Sequence, residues 1–493
     1  MSKTFRPWKI DEPLLLPPVV QDFVAKDHLA RFVLSLVREE IDLCAIAASY
    51  DCDRGQPPFA PGMMTALLLY SYCCGIYASR RIAKACRERV DFMSIVAFDA
   101  PDFRTVSEFR RRHLQALGAL FSQILRLCET AGLVKLGHVA LDGTKIKANA
   151  SKHKAMSYER MAKRATELEA EVARWLAVAE ASDVADDKRY GADKSGEEMP
   201  AWVADKKRRA ERIRKAKAEL EAEAKAAAEA KLKAVAEAQV QREAQGRKKP
   251  GRPAAPPATT PEPKAQKNFT DPESRIMKSK DGFVQAYNAQ IAVDSQAQII
   301  VAQEVTQCPI DSGQLVPMID ATKSNLGRYP LQASADAGYC SQANLEALES
   351  RGIDGYVATG RARDAVAGNV KDGEDDPAGT SDLGSEPEPP AAPASPAATE
   401  TIAATQSEAK PKPSRVEVMR AKLRAGGHAS PYRLRKQLPE PVFGQIKQAR
   451  GFRQFLLRGF EKVRHEWSMV CTAHNLLKLA HCRSLSAALP MTA

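Results

Sequence analysis

Three carboxylates lie far apart in the chain: Asp142 in GHVALDGTKIKANAS, Asp336 in QASADAGYC and Glu440 in PYRLRKQLPEPVFGQIK. Brought together, they would suit metal-assisted phosphoryl transfer. Two divalent ions ~3.5–4 Å apart need carboxylates to hold them, one ion activating the attacking oxygen and the other receiving the leaving one. Magnesium takes oxygen ligands and keeps several waters, so three carboxylates suffice. Each acid also has a plain structural explanation. An Asp at a strand end near Gly is commonly a turn residue, which covers Asp142 and Asp336. Glu440 sits between Pro439 and Pro441, where a first-turn acid simply opposes the helix dipole. Spacing adds to the chemical reading of Glu440. At ~100° per residue, Glu440 and Lys447 fall within ~20° of each other. Val442, Phe443 and Ile446 form an apolar stripe beside that face. Such a helix packs by its stripe and presents a carboxylate for metal and a lysine for phosphate at the rim of a cleft.

The elements that must position these residues follow from periodicity. GHVALD reads as a strand running up to Asp142. FVQAYNAQIAVDSQAQIIVAQEVTQ alternates as two strands joined at Asp294-Ser295, a hairpin. Asp294 is its turn residue, and Asp311 reads as the N-cap of the helix in SGQLVPMIDATKSNL. A strand ending at Asp336, a helix (SQANLEALESRG), a strand (GYVATG) and a terminal helix (RGFEKVRHEWSMVCTAHNLLKLAH) complete the series. That is the element order of an RNase H-like fold, an α/β mixed sheet flanked by helices. It predicts a discontinuous core of 134–154, 268–360 and 430–485. His474 and His481 have no ligand partners on their helix and read as surface or core histidines.

Around this core the composition changes. Residues 1–133 read as an all-α domain, with basic faces (Arg80, Arg81, Lys84, Arg87) that suit DNA contact, a helix-turn-helix among the options, or a solvated bundle surface. Residues 155–247 turn to Ala, Lys, Glu and Arg, predicting a long charged helical insertion, two arms of a hairpin. Its second arm is Ala-rich and opens with a basic run from Lys206 to Lys215. The Pro-rich 248–267 reads as a linker, with RKKPGRP resembling a short minor-groove hook. Residues 361–429, rich in Pro, Ala, Ser and acid, read as a disordered insertion. The whole chain of 493 residues carries net charge +12, so a polyanion is the expected partner. Seven acids and no base fall between Asp372 and Glu388, so the remainder is more basic still. Ten cysteines in no disulfide or zinc spacing, with no signal peptide at the start, point to reduced thiols in the cytoplasm. The most apolar run, MMTALLLYSYCCGIYA, falls short of the ~20 residues a membrane span needs; no membrane partner is expected.

At these motifs the sequence resembles bacterial insertion-sequence transposases of the DDE class. LDGTKIKANAS is similar to the family's first-aspartate strand and ADAGYCS to its second-aspartate motif. Tyr432, Arg435 or Lys436, Glu440 and Lys447 resemble its Tyr-Arg-Glu-Lys signature. The family spaces Arg and Glu by three residues, a spacing Lys436 meets and Arg435 exceeds by one. FAPGMMTALLLYSYCCGIYASRRIAKACRE and FRTVSEFRRRH resemble its N-terminal helical transposase domain. The resemblance implies a transposase that binds terminal inverted repeats and cleaves and joins double-stranded DNA, element ends and target, by direct transesterification. It implies Asp142, Asp336 and Glu440 as ligands of two Mg2+ ions, with Mn2+ as a substitute. Tyr432, Arg435, Lys436 and Lys447 would contact DNA, and the protein would self-associate in the reaction complex. Glu461 and Glu466 are the rivals for the third carboxylate. The other function classes are a DNA-binding remnant that no longer cuts, and a scaffold that oligomerises through its Ala/Lys/Glu helices.

Overall fold

The computed structural model describes residues 19–50, 58–151, 154–190, 201–244, 256–279, 282–360 and 413–488. The stretch RKKPGRP, the segment 361–412 and the break between the two insertion helices lie outside them.

The N-terminal region is helical: α1 (Leu29–Glu39), α2 (Cys44–Ala47), α3 (Pro61–Cys73), α4 (Ser79–Glu88), α5 (Val90–Val96), α6 (Phe103–Arg112) and α7 (Leu114–Thr130). α3 is apolar all round, and every residue from Met64 to Cys73 is buried, as such a helix must be inside a protein. Among the described residues no helix is long and apolar enough to cross a membrane. α4 is amphipathic: Ile82, Ala83, Ala85 and Cys86 are buried, while Arg80, Arg81, Lys84 and Arg87 form the exposed face read from the sequence. Arg110 on α6 departs from that pattern. It is buried, donating to the Tyr77 carbonyl (2.8 Å) and the Ser79 hydroxyl (3.2 Å).

The strands are β1 (His138–Lys147), β2 (Ala155–Ser157), β3 (Gln266–Asn268), β4 (Arg275–Ser279), β5 (Gly282–Asp294), β6 (Ile300–Thr306), β7 (Gln332–Ala335) and β8 (Asp354–Val357). β1 is central, antiparallel to β5 and parallel to β7; β7 runs parallel to β8, and β6 lies antiparallel on the far edge of β5, giving the order β6-β5-β1-β7-β8. β4 pairs with the first residues of β5. The expected hairpin is β5–β6, and Asp294 stabilises its turn by accepting from the backbone N–H groups of Gln296 (2.8 Å) and Leu136 (2.7 Å). β1 does not stop at Asp142 but continues to Lys147, because β5 supplies paired backbone along that whole length. From Gln285 to Asp294, β5 is buried without alternation, the mark of a sheet covered on both faces.

The covering helices are α10 (Leu315–Leu326), α11 (Gln342–Ser350), α12 (Arg415–Gly426), α13 (Leu434–Gln437), α14 (Pro439–Gly444, continued as a π turn over Gln445–Ala449) and α15 (Phe460–Ala488). One hydrophobic core includes α3, α7, the sheet and α15. The expected disorder of 361–429 fails at its end. Ser414 and Glu417 form a capping box that starts α12, and Arg415 and Lys422 pair with Glu349 and Asp354. The sequence there, SRVEVMRAKLRAG, has already left the Pro- and acid-rich composition. The insertion holds α8 (Tyr158–Tyr190) and α9 (Ala201–Ala244), an antiparallel hairpin whose core is Met161, Ala165, Leu168, Ala210, Ile213 and Leu220. The linker 248–267 ends in β3, which pairs with β2 at the foot of that hairpin.

Candidate functional site

The parallel pairing of β1 with β7 ends at Ala140↔Ser334. Carried two residues further, the same register sets Asp142 level with Asp336 on one face, just where the strands part. Ligands in open sheets bind outside the carboxyl ends of parallel strands, and both aspartates stand at such an end. Asp336 follows the last residue of β7 and caps a short 3-10 turn (Ala337–Tyr339), accepting from Gly338 N at 2.9 Å. Asp142 accepts from Gly143 N at 2.8 Å. It is densely surrounded, and desolvation raises its carboxyl to about 6, against the pull of Arg435; Asp336 and Asp311 push the same way.

The segment after the aspartates in sequence crosses over them. Tyr432 lies in a 3-10 turn (Pro431–Arg433), and desolvation raises its phenol although Arg435 draws it down. The Arg435 guanidinium is 3.9 Å from the Asp336 carboxylate. Burial works against its charge, but Asp142, Tyr432 and Asp336 hold it above the ordinary value. Its Nε is buried without a hydrogen-bond partner. Lys436 is exposed, so of the two bases it is Arg435 that faces the aspartates. Lys447 donates to the Thr144 hydroxyl and lies 3.4 Å from the Lys145 carbonyl. Thr144 is two residues from Asp142 and shares its face of β1.

Glu440 is placed differently. Its helix does pack by the expected stripe, with Val442, Phe443 and Ile446 buried. Its carboxylate, however, is exposed on the first turn of α14 and has no hydrogen bond or ion pair among the described residues. Among the described residues no three acid, histidine or cysteine side chains stand close enough to hold a metal ion.

The rivals sit elsewhere. Glu461 is exposed and contacts Arg464 on its own helix (3.4 Å). Glu466 is fully buried and accepts from the backbone N–H groups of Leu456 and Leu457. His474 is buried against the Gln298 carbonyl.

One acid was misread from the sequence. The N-cap of α10 is Gln314, not Asp311. The Asp311 carboxylate accepts from Asn288 Nδ2 (2.6 Å) and Gln290 Nε2 (2.8 Å) and pairs with Lys145 (3.3 Å). A methyl group on Gly143 would lie 2.9 Å from its Oδ1, and one on Gly338 would lie 3.7 Å from its Oδ2. Asp311 is thus wedged between the residue after Asp142 and the turn after Asp336. Buried Asn288 and Gln290, alternating on β5, are the signal in the sequence that a polar partner must face them.

A family model described as "Transposase domain (DUF772)" matches residues 18–112, and one described as "Transposase DDE domain" matches residues 393–480. Together the two matches are consistent with an insertion-sequence transposase of the DDE class. No curated protein and no solved structure matches the chain. Tyr432, Arg435, Lys436, Glu440 and Lys447 fall inside the second match, and α3, α4 and α6 inside the first. The two aspartates of the candidate site lie upstream of the DDE match, brought to it by the sheet.

Proposed function

We propose that the protein is a DDE-class transposase with an RNase H-like core that acts on double-stranded DNA. It would bind the terminal inverted repeats of an insertion sequence, cut there, and join the freed end to target DNA by direct transesterification. The observation that carries the reading is the register of β1 against β7, which sets Asp142 beside Asp336 where the strands part, under the segment that the DDE domain match covers. The donors fit a hard divalent cation: Asp142 and Asp336 are carboxylates at one strand end, close enough that the charge of Asp336 adds to desolvation in raising the Asp142 carboxyl. Asp142 and Asp336 would hold Mg2+, or Mn2+ in its place, with Glu440 as the third ligand of the proposed set. Bound there, a pair of such ions supplies the positive charge that activates the attacking oxygen and receives the leaving one. The unpartnered Nε of Arg435 is placed to donate to a phosphate beside the aspartates, and Lys447 holds the next stretch of backbone as a point charge. Two element ends call for two such sites, hence self-association in the reaction complex.

The exposed Glu440 favours one competing reading, a remnant that binds DNA without cutting. Nicking of a duplex carrying the element's own ends, with Mg2+, separates the two. Wild type should nick; Asp142→Ala, Asp336→Ala and Glu440→Ala should each lose nicking while retaining binding, and Glu461→Ala should still cut. Binding without nicking by wild type would establish the remnant. Loss of nicking in Glu461→Ala but not in Glu440→Ala would move the third acid to α15.

A further inference from the structure

We infer that the α8–α9 hairpin carries a second DNA-backbone site at its foot, separate from the aspartate site. The two arms hold two kinds of cation. Those of the first kind are already neutralised within the hairpin: Arg164 by Glu167 (2.8 Å), Lys206 by Glu171 (2.6 Å) and Arg214 by Glu169 (2.6 Å). The second kind has no ion pair among the described residues; it includes Lys207 and Lys215 on α9 as well as Lys154, Arg160, Lys163, Arg209 and Arg212. These last five are exposed and gather in one place. Lys154, Arg209 and Arg212 line one open cleft between α9 and the β2–β3 strands, and Arg160, Lys163 and Arg209 line the adjoining one. Arg209 belongs to both, so the clefts form one continuous basic surface. Asp205 and Glu167 are the acids lining these clefts, and Glu167 is spent on Arg164.

A solvated charged helix intersperses its charges and pairs them at i,i+3 and i,i+4, as the first group does. Five unpaired cations on adjoining clefts leave the repulsion among them unrelieved, and a phosphate backbone relieves it. The surface is also fixed in place. Lys267 on β3 is buried against Glu219 (2.6 Å) and Glu223 (3.0 Å), and Tyr158 donates to Glu221 (2.6 Å). These contacts tie the foot of the hairpin to the strands that lead from β1. Twelve residues separate Asp142 from Lys154, a reach of at most ~40 Å for extended chain. One duplex of a few turns can therefore touch both sites. The occupant is duplex DNA, an inference that rests on reading the chain as a transposase.

The test is fluorescence anisotropy of a 40-bp duplex with the full chain, at several salt concentrations around 0.1 M. Arg160→Gln, Lys163→Gln, Arg209→Gln and Arg212→Gln are combined in one variant, with Arg214→Gln as a charge-loss control. Removing four phosphate contacts should flatten the slope of log K against log salt by about two to four. It should also weaken binding tenfold or more, whereas Arg214→Gln should change the slope by less than one. An unchanged affinity and slope in the combined variant would overturn the inference while leaving the proposed function standing. If wild type binds no duplex, the proposed function itself fails. Lysine acetylation of the wild-type chain provides a readout without substitution. Bound DNA should protect Lys154 and Lys163, and equal labelling with and without DNA would again overturn the site.

Discussion

Arg435 and Lys436 are neighbours with the same charge and different surroundings. Arg435 lies over the two aspartates with a buried, unpartnered Nε, whereas Lys436 points to solvent. A guanidinium keeps its proton where burial would discharge an ammonium, and it offers a planar fork to phosphate. Arg435→Gln should therefore cut the nicking rate on the order of 10²-fold, the scale of one lost preorganised donor, and Arg435→Lys should recover little of it. Lys436→Gln should stay within a few fold of wild type. A pair of single-turnover rates checks this, and the reverse order would show that the three-residue spacing to Glu440, rather than burial, identifies the working base. Asp311 carries the same lesson in another form. A carboxylate that accepts from Asn288 and Gln290 and pairs with Lys145 is an organiser of the site wall, whatever its position relative to a helix.

At the scale of elements, much of the core was legible because its strands and helices obey simple periods. β5–β6, α10, β7, α11 and β8 fall where alternation and 3.6-residue spacing place them. What periodicity could not give was depth and rotation. β1 runs past Asp142 because its partner does, and Glu440 stands exposed on the first turn of α14 although the apolar stripe of the same helix is buried. Composition misled at α12, where a capping box and two ion pairs order the tail of a stretch read as disordered. Close approach between helices was equally invisible. On α7, Gly118 offers its carbonyl to the Ser468 hydroxyl of α15 (2.8 Å), and a methyl group added there would meet His465 Nδ1 at 2.5 Å. Gly118→Leu should destabilise the fold by ~1–3 kcal/mol or more, the range for overpacking, read as a lowered denaturant midpoint. Gly132→Ala is the comparison: its neighbourhood is empty, and its cost comes only from its positive φ of 74°.

For the whole molecule, α15 is the shared wall. It packs with α3 and α7 on the N-terminal side and reaches the sheet through Trp467, whose indole donates to the Gln290 carbonyl (3.2 Å), and through Asn475, which pairs with Ile300. Glu466 lies in that wall with no exposed surface. Burial raises its carboxyl to about 7, although the backbone N–H groups of Leu457 and Leu456 and the charge of Arg110 pull it down. The folded chain thus binds this proton more tightly than the unfolded chain, whose carboxyl titrates near 4.5. The stabilisation is fully present below about pH 4.5 and is lost as pH rises through about 7, a change on the order of 3 kcal/mol at ~1.4 kcal/mol per pKa unit. Buried His474, held down to about 3, acts in the opposite direction, since its unfolded form gains a proton as pH falls below 6.5. The slope of wild type alone therefore mixes the two. Glu466→Gln keeps an acceptor for Leu456 and Leu457 but has no proton to lose, so the difference between variant and wild type isolates the carboxyl. Urea denaturation between pH 5 and 8 should show wild type losing ground steadily to Glu466→Gln as pH rises. A constant difference across that range would mean that Glu466 is ionised throughout and that Arg110 outweighs its burial.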